Sequence, residues 1–163
     1  SAFREFVPEI DADFCVILDS DSTYPPEAIP RFLRELEAGH PVVIGSRFQG
    51  TIEAGAMSAA NYLGNRFLSR LASTVYRREI SDVCTGMWAF RADILQLIDL
   101  TADGFDLEAN FFAECAKRNV PIKEIPITYK KRIGTQKLRL SEGLRIALAL
   151  LKRKIEVGPH ERE

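Results

Sequence analysis

Two aspartates directly after an apolar run are the residues whose type and spacing point most clearly to chemistry. Asp19 and Asp21 are separated by Ser20 and follow Phe14-Cys15-Val16-Ile17-Leu18, a run typical of a strand buried on both faces. Two carboxylates in this arrangement can converge on Mg²⁺ or Mn²⁺, and such an ion neutralises the charge of a leaving diphosphate. Alternatively, these residues only form the turn after the strand. The pair is a candidate metal site.

Arg47 and Asp82 belong to a second group of candidates. Arg47 follows the apolar segment Val42-Val43-Ile44, so we expect its guanidinium at the edge of a sheet. There it either holds a phosphate, faces solvent or pairs with Asp82. Asp82 precedes Thr85 and Gly86, and the glycine allows a close approach of the backbone. Asp82 therefore either binds sugar hydroxyls or caps a turn.

Asp106 and Glu108 stand at the start of a predicted helix, where the helix dipole favours carboxylates for structural reasons alone. If the reaction has a hydroxyl acceptor, that acceptor must lose a proton, and one of these acids is then the general base. A phosphate acceptor is already largely ionised at neutral pH and needs cations instead. Arg132 and Lys137 could supply them by closing a basic loop over bound phosphates, unless that loop is simply solvated.

The charge of the chain is nearly balanced overall but is unevenly placed. The net charge of the 163 residues is −1, so no global field favours nucleic acid as a partner. Residues 128–155 nevertheless carry nine basic residues and one acid, about +8, which predicts an edge that meets anions. Three scattered cysteines are too few for a disulfide framework and fit a reducing compartment.

The elements that must position these residues alternate along the chain. Strands are predicted at 14–18, 42–44, 87–90 and 122–129, with helices from Pro25 to Gly39 and at 59–76, 92–97, 107–117 and 141–155. This alternation predicts an α/β domain with a mostly parallel sheet flanked by helices, whose chemistry lies beyond the carboxyl ends of the strands. Trp88 and Phe90 are expected in the core.

The last predicted helix is amphipathic and is capped by Ser141. Leu144, Ala147, Leu148 and Leu151 form one apolar face, and basic residues lie elsewhere on the helix. The helix either packs on the sheet with this face or lies in the membrane interface against anionic head groups. The longest apolar run in this part of the chain is far shorter than the roughly 20 residues that cross a bilayer.

Six segments in collinear order resemble the family 2 glycosyltransferases of the GT-A fold, especially the polyprenol-phosphate (dolichol-phosphate) sugar transferases. The segments begin with the D-x-D motif at Asp19-Ser20-Asp21 and its following Tyr24-Pro25-Pro26-Glu27. The others are Val43-Ile44-Gly45-Ser46-Arg47, Gly64-Asn65-Arg66, Asp82-Val83-Cys84-Thr85-Gly86-Met87, Gly104-Phe105-Asp106-Leu107-Glu108, and Ile125-Pro126-Ile127-Thr128-Tyr129 with Arg132, Gly134 and Lys137-Leu138.

The resemblance implies a metal-dependent, inverting transfer of a sugar from a nucleotide sugar to a polyprenyl (dolichyl) phosphate. It also implies a peripheral location on the cytoplasmic face of the membrane, Mg²⁺ or Mn²⁺ as cofactor, and roles for the candidate residues. Those roles are metal binding for Asp19 and Asp21, catalysis for Arg47, Asp106 and Glu108, and substrate binding for Asp82, Thr85, Gly86, Asn65, Arg132 and Lys137. Three departures concern the acceptor and metal sites: Thr23 where the family often has glutamine, an arginine-free stretch at 57–62, and Gln136 where serine is usual.

The family places a nucleotide-binding half before the D-x-D strand, and here only about a dozen residues precede Phe14. We therefore expect residues 1–140 to be the C-terminal portion of a GT-A domain and residues 141–163 to be an amphipathic helix and tail. A complementing N-terminal half or a homodimer would then cover the open edge of the first strand. Two other functions remain open, namely transfer to a saccharide hydroxyl and a non-catalytic module that binds lipid or a partner.

Overall fold

The computed structural model describes residue 7 and residues 10–99, 106–133 and 140–155. It has the predicted alternation of strands and helices. The elements are β1 (Phe14–Leu18), a 3₁₀ turn (Pro26–Ala28), α1 (Ile29–Glu37), β2 (Val42–Ile52), α2 (Ala59–Tyr76), β3 (Met87–Arg91), α3 (Ala92–Leu97), α4 (Leu107–Lys117), β4 (Ile122–Tyr129) and α5 (Leu140–Ile155).

The four strands form one sheet in the order β1-β3-β2-β4. The α/β class is confirmed, but the expectation of a mostly parallel sheet is wrong for these strands. β3 runs antiparallel to both β1 and β2, and only β2 and β4 are parallel. Leu18 pairs with Met87, so β3 starts where β1 ends. A buried strand has the same apolar composition in either direction, so sequence pattern alone did not reveal this reversal.

β1 and β2 differ from their predicted forms. β1 is half-buried rather than buried on both faces, and among the described strands it has a neighbour on one side only, which is β3. β2 continues to Ile52, well beyond Ile44, with an irregularity in its pairing to β4 between Ser46 and Thr51. Arg47 is therefore inside a strand rather than after one.

Two apolar clusters hold the layers together. On one face of the sheet, α2, α4 and α5 pack against a cluster that includes Trp88 and Phe90, which confirms both as core residues. On the other face, α1 contributes Phe32 and Leu36. The helices are thus fixed to the sheet by burial of their apolar stripes, the main favourable contribution to folding.

Of the two alternatives for the apolar face of the last helix that contains Leu144, packing on the sheet is wrong. Ile146 and Leu150 are buried in α5, whereas Leu144, Leu148 and Leu151 are exposed. The helix begins at Leu140, so Ser141 lies within its first turn rather than before it. Among the residues described, no helix has the length and hydropathy needed to span a bilayer.

Candidate active site

A cavity of about 330 Å³ lies beyond the carboxyl end of β1, at the low end of the size range of small-molecule sites. Six of the candidate site residues line it, together with residues that the sequence did not single out. The candidates are Asp19, Asp21, Arg47, Asn65, Glu108 and Arg132. Residues far apart in the sequence thus meet beyond the carboxyl end of a strand, where an α/β fold is expected to bind its ligands.

Asp19 lies at the end of β1 and is held close to Gly86. The Asp19 backbone N–H donates to the Gly86 carbonyl at 3.0 Å. A Cβ atom at position 86 would lie 2.2 Å from Asp19 Oδ2, so only glycine leaves room for this carboxylate. Burial, together with the neighbouring charge of Asp21, raises the pKa of Asp19. Within the described residues no hydrogen-bond donor contacts the Asp19 carboxylate.

Asp21 is oriented by two neighbours. The buried Thr23 donates to Asp21 Oδ1 through its hydroxyl at 2.5 Å and through its backbone N–H at 3.0 Å. Between them, Ser22 has a φ of 67°, in the left-handed region that tight turns use. The Arg132 guanidinium forms an ion pair with Asp21 Oδ2 at 2.6 Å. Thr23, which stands where the family often has glutamine, thus positions the second aspartate.

The carboxylate pair fits a hard divalent cation. Asp19 is a partly buried carboxylate that no donor of the described residues contacts, and the Arg132 guanidinium pairs with the nearby Asp21. In the described part of the chain, no three or more His, Cys, Asp or Glu side chains cluster so as to hold a metal. Mg²⁺ commonly binds to one or two carboxylates and takes its other ligands from water and phosphate, and these two aspartates match that pattern.

Arg47 and Asp82 form a buried ion pair. Arg47 Nη2 donates to Asp82 Oδ1 at 2.6 Å, and its Nε donates to Oδ2 at 2.7 Å. The Arg47 backbone N–H also donates to Oδ2, at 2.9 Å. Asp82 has 0% exposure, so its carboxylate lies behind the cavity wall and faces Arg47 rather than the cavity. Arg47 reaches the wall, but Asp82 neutralises its charge.

Thr85 and Gly86 lie behind the wall in the same way. The Thr85 hydroxyl donates to the Gly45 carbonyl at 2.5 Å, and the Thr85 carbonyl accepts from the Trp88 indole at 2.7 Å. The Gly86 N–H donates to the Tyr24 hydroxyl at 2.7 Å. These two residues connect the strands that carry the site, and in this structure their polar groups are directed at protein atoms.

Glu108 faces the cavity from the first turn of α4. Burial, together with the negative charges of Asp19 and Asp106, raises the pKa of Glu108 to about 7 against the lowering effects of the helix backbone and Arg47. A carboxyl group with such a pKa exchanges protons near neutral pH, which is the property that a general acid or base requires.

Asp106 does not share this position. It is the residue before α4, and its Oδ2 pairs with Arg153 of α5 at 3.0 Å. Asp106 thus links two helices and is not among the residues that line the cavity, so Glu108 is the better placed of the two acids. Lys137 lies outside the described residues.

Several wall residues were missed at the sequence level. Tyr24 and Tyr129 meet edge to face, with ring centroids 5.3 Å apart, and the Arg47 guanidinium lies 5.3 Å from the Tyr129 ring. Asn61 precedes the candidate Asn65 by one helical turn, and this i, i+4 spacing is the signal that could have identified it. Ile146 closes the wall from α5, which no local pattern could predict.

Comparison with known proteins decides the family. The model of the family described as Glycosyl transferase family 2 matches residues 1–98 of the chain. The chain belongs to glycosyltransferase family 2. The resemblance drawn from the sequence motifs is thereby confirmed.

Two named relatives support the same placement. Glycosyltransferase AglJ of Haloferax volcanii is 35% identical over 132 residues, which cover 80% of this chain and 43% of the relative. The dolichyl-phosphate hexose transferase of the same organism is 38% identical over 128 residues, covering 78% of this chain and 55% of the relative. The chain thus spans about half the length of these relatives.

Solved structures show the GT-A fold. The glucosyl-3-phosphoglycerate synthase of Mycobacterium tuberculosis, in complex with Mn²⁺, uridine diphosphate and phosphoglyceric acid, superposes with a TM-score of 0.70 at 16% identity. The match covers 97% of this chain and 54% of the synthase. The family 2 chain described here thus has the fold of about half of that enzyme.

Proposed function

We propose that this chain carries the metal- and acceptor-binding part of an inverting glycosyltransferase that moves a sugar from a nucleotide sugar to a polyprenyl phosphate. The observation that carries the proposal is the composition of the cavity, which is lined by two carboxylates and Arg132 together with residues of α2 and α5. The name of the dolichyl-phosphate hexose transferase supports the choice of acceptor.

Asp19 and Asp21 would hold a divalent cation that neutralises the negative charge developing on the departing diphosphate. Thr23 keeps Asp21 in place, and the missing side chain of Gly86 leaves space for Asp19. Arg132 lies on the same wall and adds a positive charge for the phosphates. The Arg47–Asp82 pair contributes rigidity rather than net charge, since each neutralises the other.

The transfer is a single displacement. An oxygen of the acceptor phosphate forms a bond to the anomeric carbon from the face opposite the diphosphate. The bond from that carbon to the diphosphate oxygen breaks, and its electron pair leaves with the nucleoside diphosphate. No proton has to be removed from the acceptor, because a phosphate is largely ionised at neutral pH.

One observation favours a second candidate, transfer to a saccharide hydroxyl. Glu108 faces the cavity with a pKa of about 7, as a general base for a hydroxyl acceptor would. Replacement of Glu108 by glutamine separates the two. A hydroxyl acceptor would lose roughly 10²- to 10⁴-fold in rate without its base, whereas transfer to a phosphate would continue within about tenfold.

The proposal is tested by calorimetric titration with Mn²⁺ plus a nucleoside diphosphate, on this chain and on a form extended at its N-terminus. Transfer of labelled sugar to polyprenyl phosphate is measured in parallel. We expect binding that is lost in Asp19→Asn and kept in Asp11→Asn, an exposed carboxylate before β1. Absence of both binding and transfer in the two forms would instead favour a non-catalytic module.

We also propose a peripheral location on the cytoplasmic face of the membrane, where a lipid phosphate would meet a nucleotide sugar. The basic residues of α5 support this location, because anionic head groups attract them. Within the described strands β1 pairs on one side only, with β3, which supports our proposal that a complementing half or a second copy supplies a further strand.

A further inference from the structure

The four tyrosines of the chain differ in what their hydroxyl groups contact. In Tyr24 and Tyr76 the hydroxyl is hydrogen-bonded to a backbone group of the protein. Tyr62 is 43% exposed, so its side chain is open to water. Tyr129 is only 7% exposed, yet its hydroxyl forms no hydrogen bond with any residue that the structure describes. Tyr129 is thus the tyrosine whose polar group the protein itself does not explain.

The Tyr129 side chain lines the cavity that holds the carboxylate pair. Its hydroxyl oxygen is not closed off from solvent, although nearly all of the side chain is buried. Taking a hydroxyl group out of water without a new partner is unfavourable, and buried polar groups in folded proteins therefore generally have one. We expect the partner of this hydroxyl to be a molecule that enters the cavity.

The ring of Tyr129 is held firmly at the cavity wall. Tyr24 packs against it edge to face, with ring centroids 5.3 Å apart, and the Arg47 guanidinium lies 5.3 Å from its centroid. The Tyr129 carbonyl accepts a hydrogen bond from the Glu53 N–H at 3.0 Å, which fixes the backbone. A hydroxyl on a ring that is already fixed loses little conformational entropy on binding a ligand, and this favours its use as a binding group.

The end of β4 lies against the loop that carries the carboxylate pair. The Lys130 N–H donates to the Thr23 carbonyl at 2.9 Å, and Arg132 pairs with Asp21. Tyr129 directly precedes these contacts, so a cation on the two carboxylates would bring its diphosphate to this wall. A tyrosine hydroxyl donates one hydrogen bond, and such a bond is stronger when the accepting oxygen is ionised.

We propose that the Tyr129 hydroxyl donates a hydrogen bond to a diphosphate oxygen of the bound nucleotide. The inference rests on the proposed function, which supplies that diphosphate, and it adds a donor that carries no charge. Unlike the Arg132 guanidinium, this donor does not compete with the divalent cation for the carboxylates. Its effect should therefore appear only when the cation and the nucleotide are present together.

The test is calorimetric titration of Tyr129→Phe, which keeps the ring and removes only the hydroxyl. The probes are Mn²⁺ alone, Mn²⁺ with uridine diphosphate, and farnesyl phosphate without a metal, on this chain and on the form extended at its N-terminus. We expect uridine diphosphate with Mn²⁺ to bind about tenfold more weakly, and the other two probes to bind as they do to the parent. Tyr62→Phe makes the same change at an exposed tyrosine outside the cavity wall and should bind all three probes as the parent does.

Thermal unfolding gives a second readout, which is independent of any ligand. Because the hydroxyl has no partner among the described residues, Tyr129→Phe should be at least as stable as the parent, and a lower stability would overturn the proposal. Unchanged binding of uridine diphosphate with Mn²⁺, an equal loss in Tyr62→Phe, or a loss confined to Mn²⁺ alone or to farnesyl phosphate would overturn it and leave the proposed function standing. If neither parent form binds Mn²⁺ with uridine diphosphate, the proposed function fails and this inference fails with it.

Discussion

Replacement of Glu108 by glutamine tests the electrostatics of the cavity directly. The substitution keeps the size of the side chain and removes its ability to ionise. In the folded chain, Glu108 is surrounded by Asp19, Asp106 and Arg47, and burial raises its pKa from 4.5 to about 7. The folded state therefore binds this proton more tightly than the unfolded state does.

The sign of the effect follows from proton linkage. With a raised pKa, the stability contributed by the neutral acid is fully present below pH 4.5 and is lost as the pH rises through about 7. The difference between 4.5 and about 7 corresponds to roughly 3 kcal/mol of folding stability, most of which is lost between about pH 5 and about pH 8. Glu108→Gln cannot ionise, so its advantage over the parent chain should grow by about 2 to 3 kcal/mol over that interval.

The measurement is the free energy of unfolding of both proteins in urea at several pH values. Other titrating groups are shared, so the difference between the two proteins isolates Glu108. In thermal unfolding the same difference corresponds to about 5–10 °C at the higher pH. Glu79→Gln, on an exposed carboxylate after α2, is the control and should show no such trend.

A difference in stability that stays constant between about pH 5 and about pH 8 would refute the reasoning, because it would mean that Glu108 titrates as it does in the unfolded chain. A bound divalent cation should also change the pH at which Glu108 ionises. If Asp19 and Asp21 bind Mn²⁺, the added positive charge should shift the trend to lower pH, because it favours the ionised form of Glu108.

Three further substitutions have distinct expected outcomes. Asp82→Asn should lower the free energy of unfolding by about 3–5 kcal/mol in urea titrations, because it leaves the buried guanidinium of Arg47 uncompensated. Gly86→Ala should abolish calorimetric Mn²⁺ binding, because the new Cβ takes the space of the Asp19 carboxylate. Arg132→Gln should strengthen binding of Mn²⁺ alone severalfold by removing a competing cation, while it slows transfer about tenfold or more.

A control variant and two contradicting outcomes accompany these three substitutions. Gly64→Ala, at a helical glycine with open space around it, should keep Mn²⁺ binding and stabilise α2 by up to about 1 kcal/mol. Loss of transfer in Asp82→Asn at unchanged stability would instead assign Asp82 to sugar binding. Weaker Mn²⁺ binding in Arg132→Gln would show that the arginine supports the carboxylates rather than competing for them.

The sequence predicted the local elements well because their signals are local. The helix at 59–76 and the strand at 122–129 have the predicted bounds, since apolar periodicity and caps are set by neighbouring residues. The reversed direction of β3 and the extension of β2 to Ile52 depend on pairing between distant segments, which periodicity does not encode.

The candidate site was predicted in part for the same reason. Asp19 and Asp21 stand out because two carboxylates follow a strand, and they lie where the fold predicts. The partnership of Arg47 with Asp82 joins residues 35 positions apart, so the sequence could offer it only as one alternative. The sequence left open whether the Leu144 face of α5 is buried, because this helix is apolar on both sides and only packing decides which side turns inward.

The charges of Arg47 and Asp82 cancel each other, and this affects the order in which the cation and the diphosphate can bind. With that pair neutral, the described cavity wall retains Asp19, Asp21 and a partly ionised Glu108 against the single guanidinium of Arg132. A bare diphosphate approaching such a wall meets net repulsion. A kinetic scheme in which the cation enters first, or arrives already complexed to the nucleotide, is therefore the one that this arrangement of charges permits.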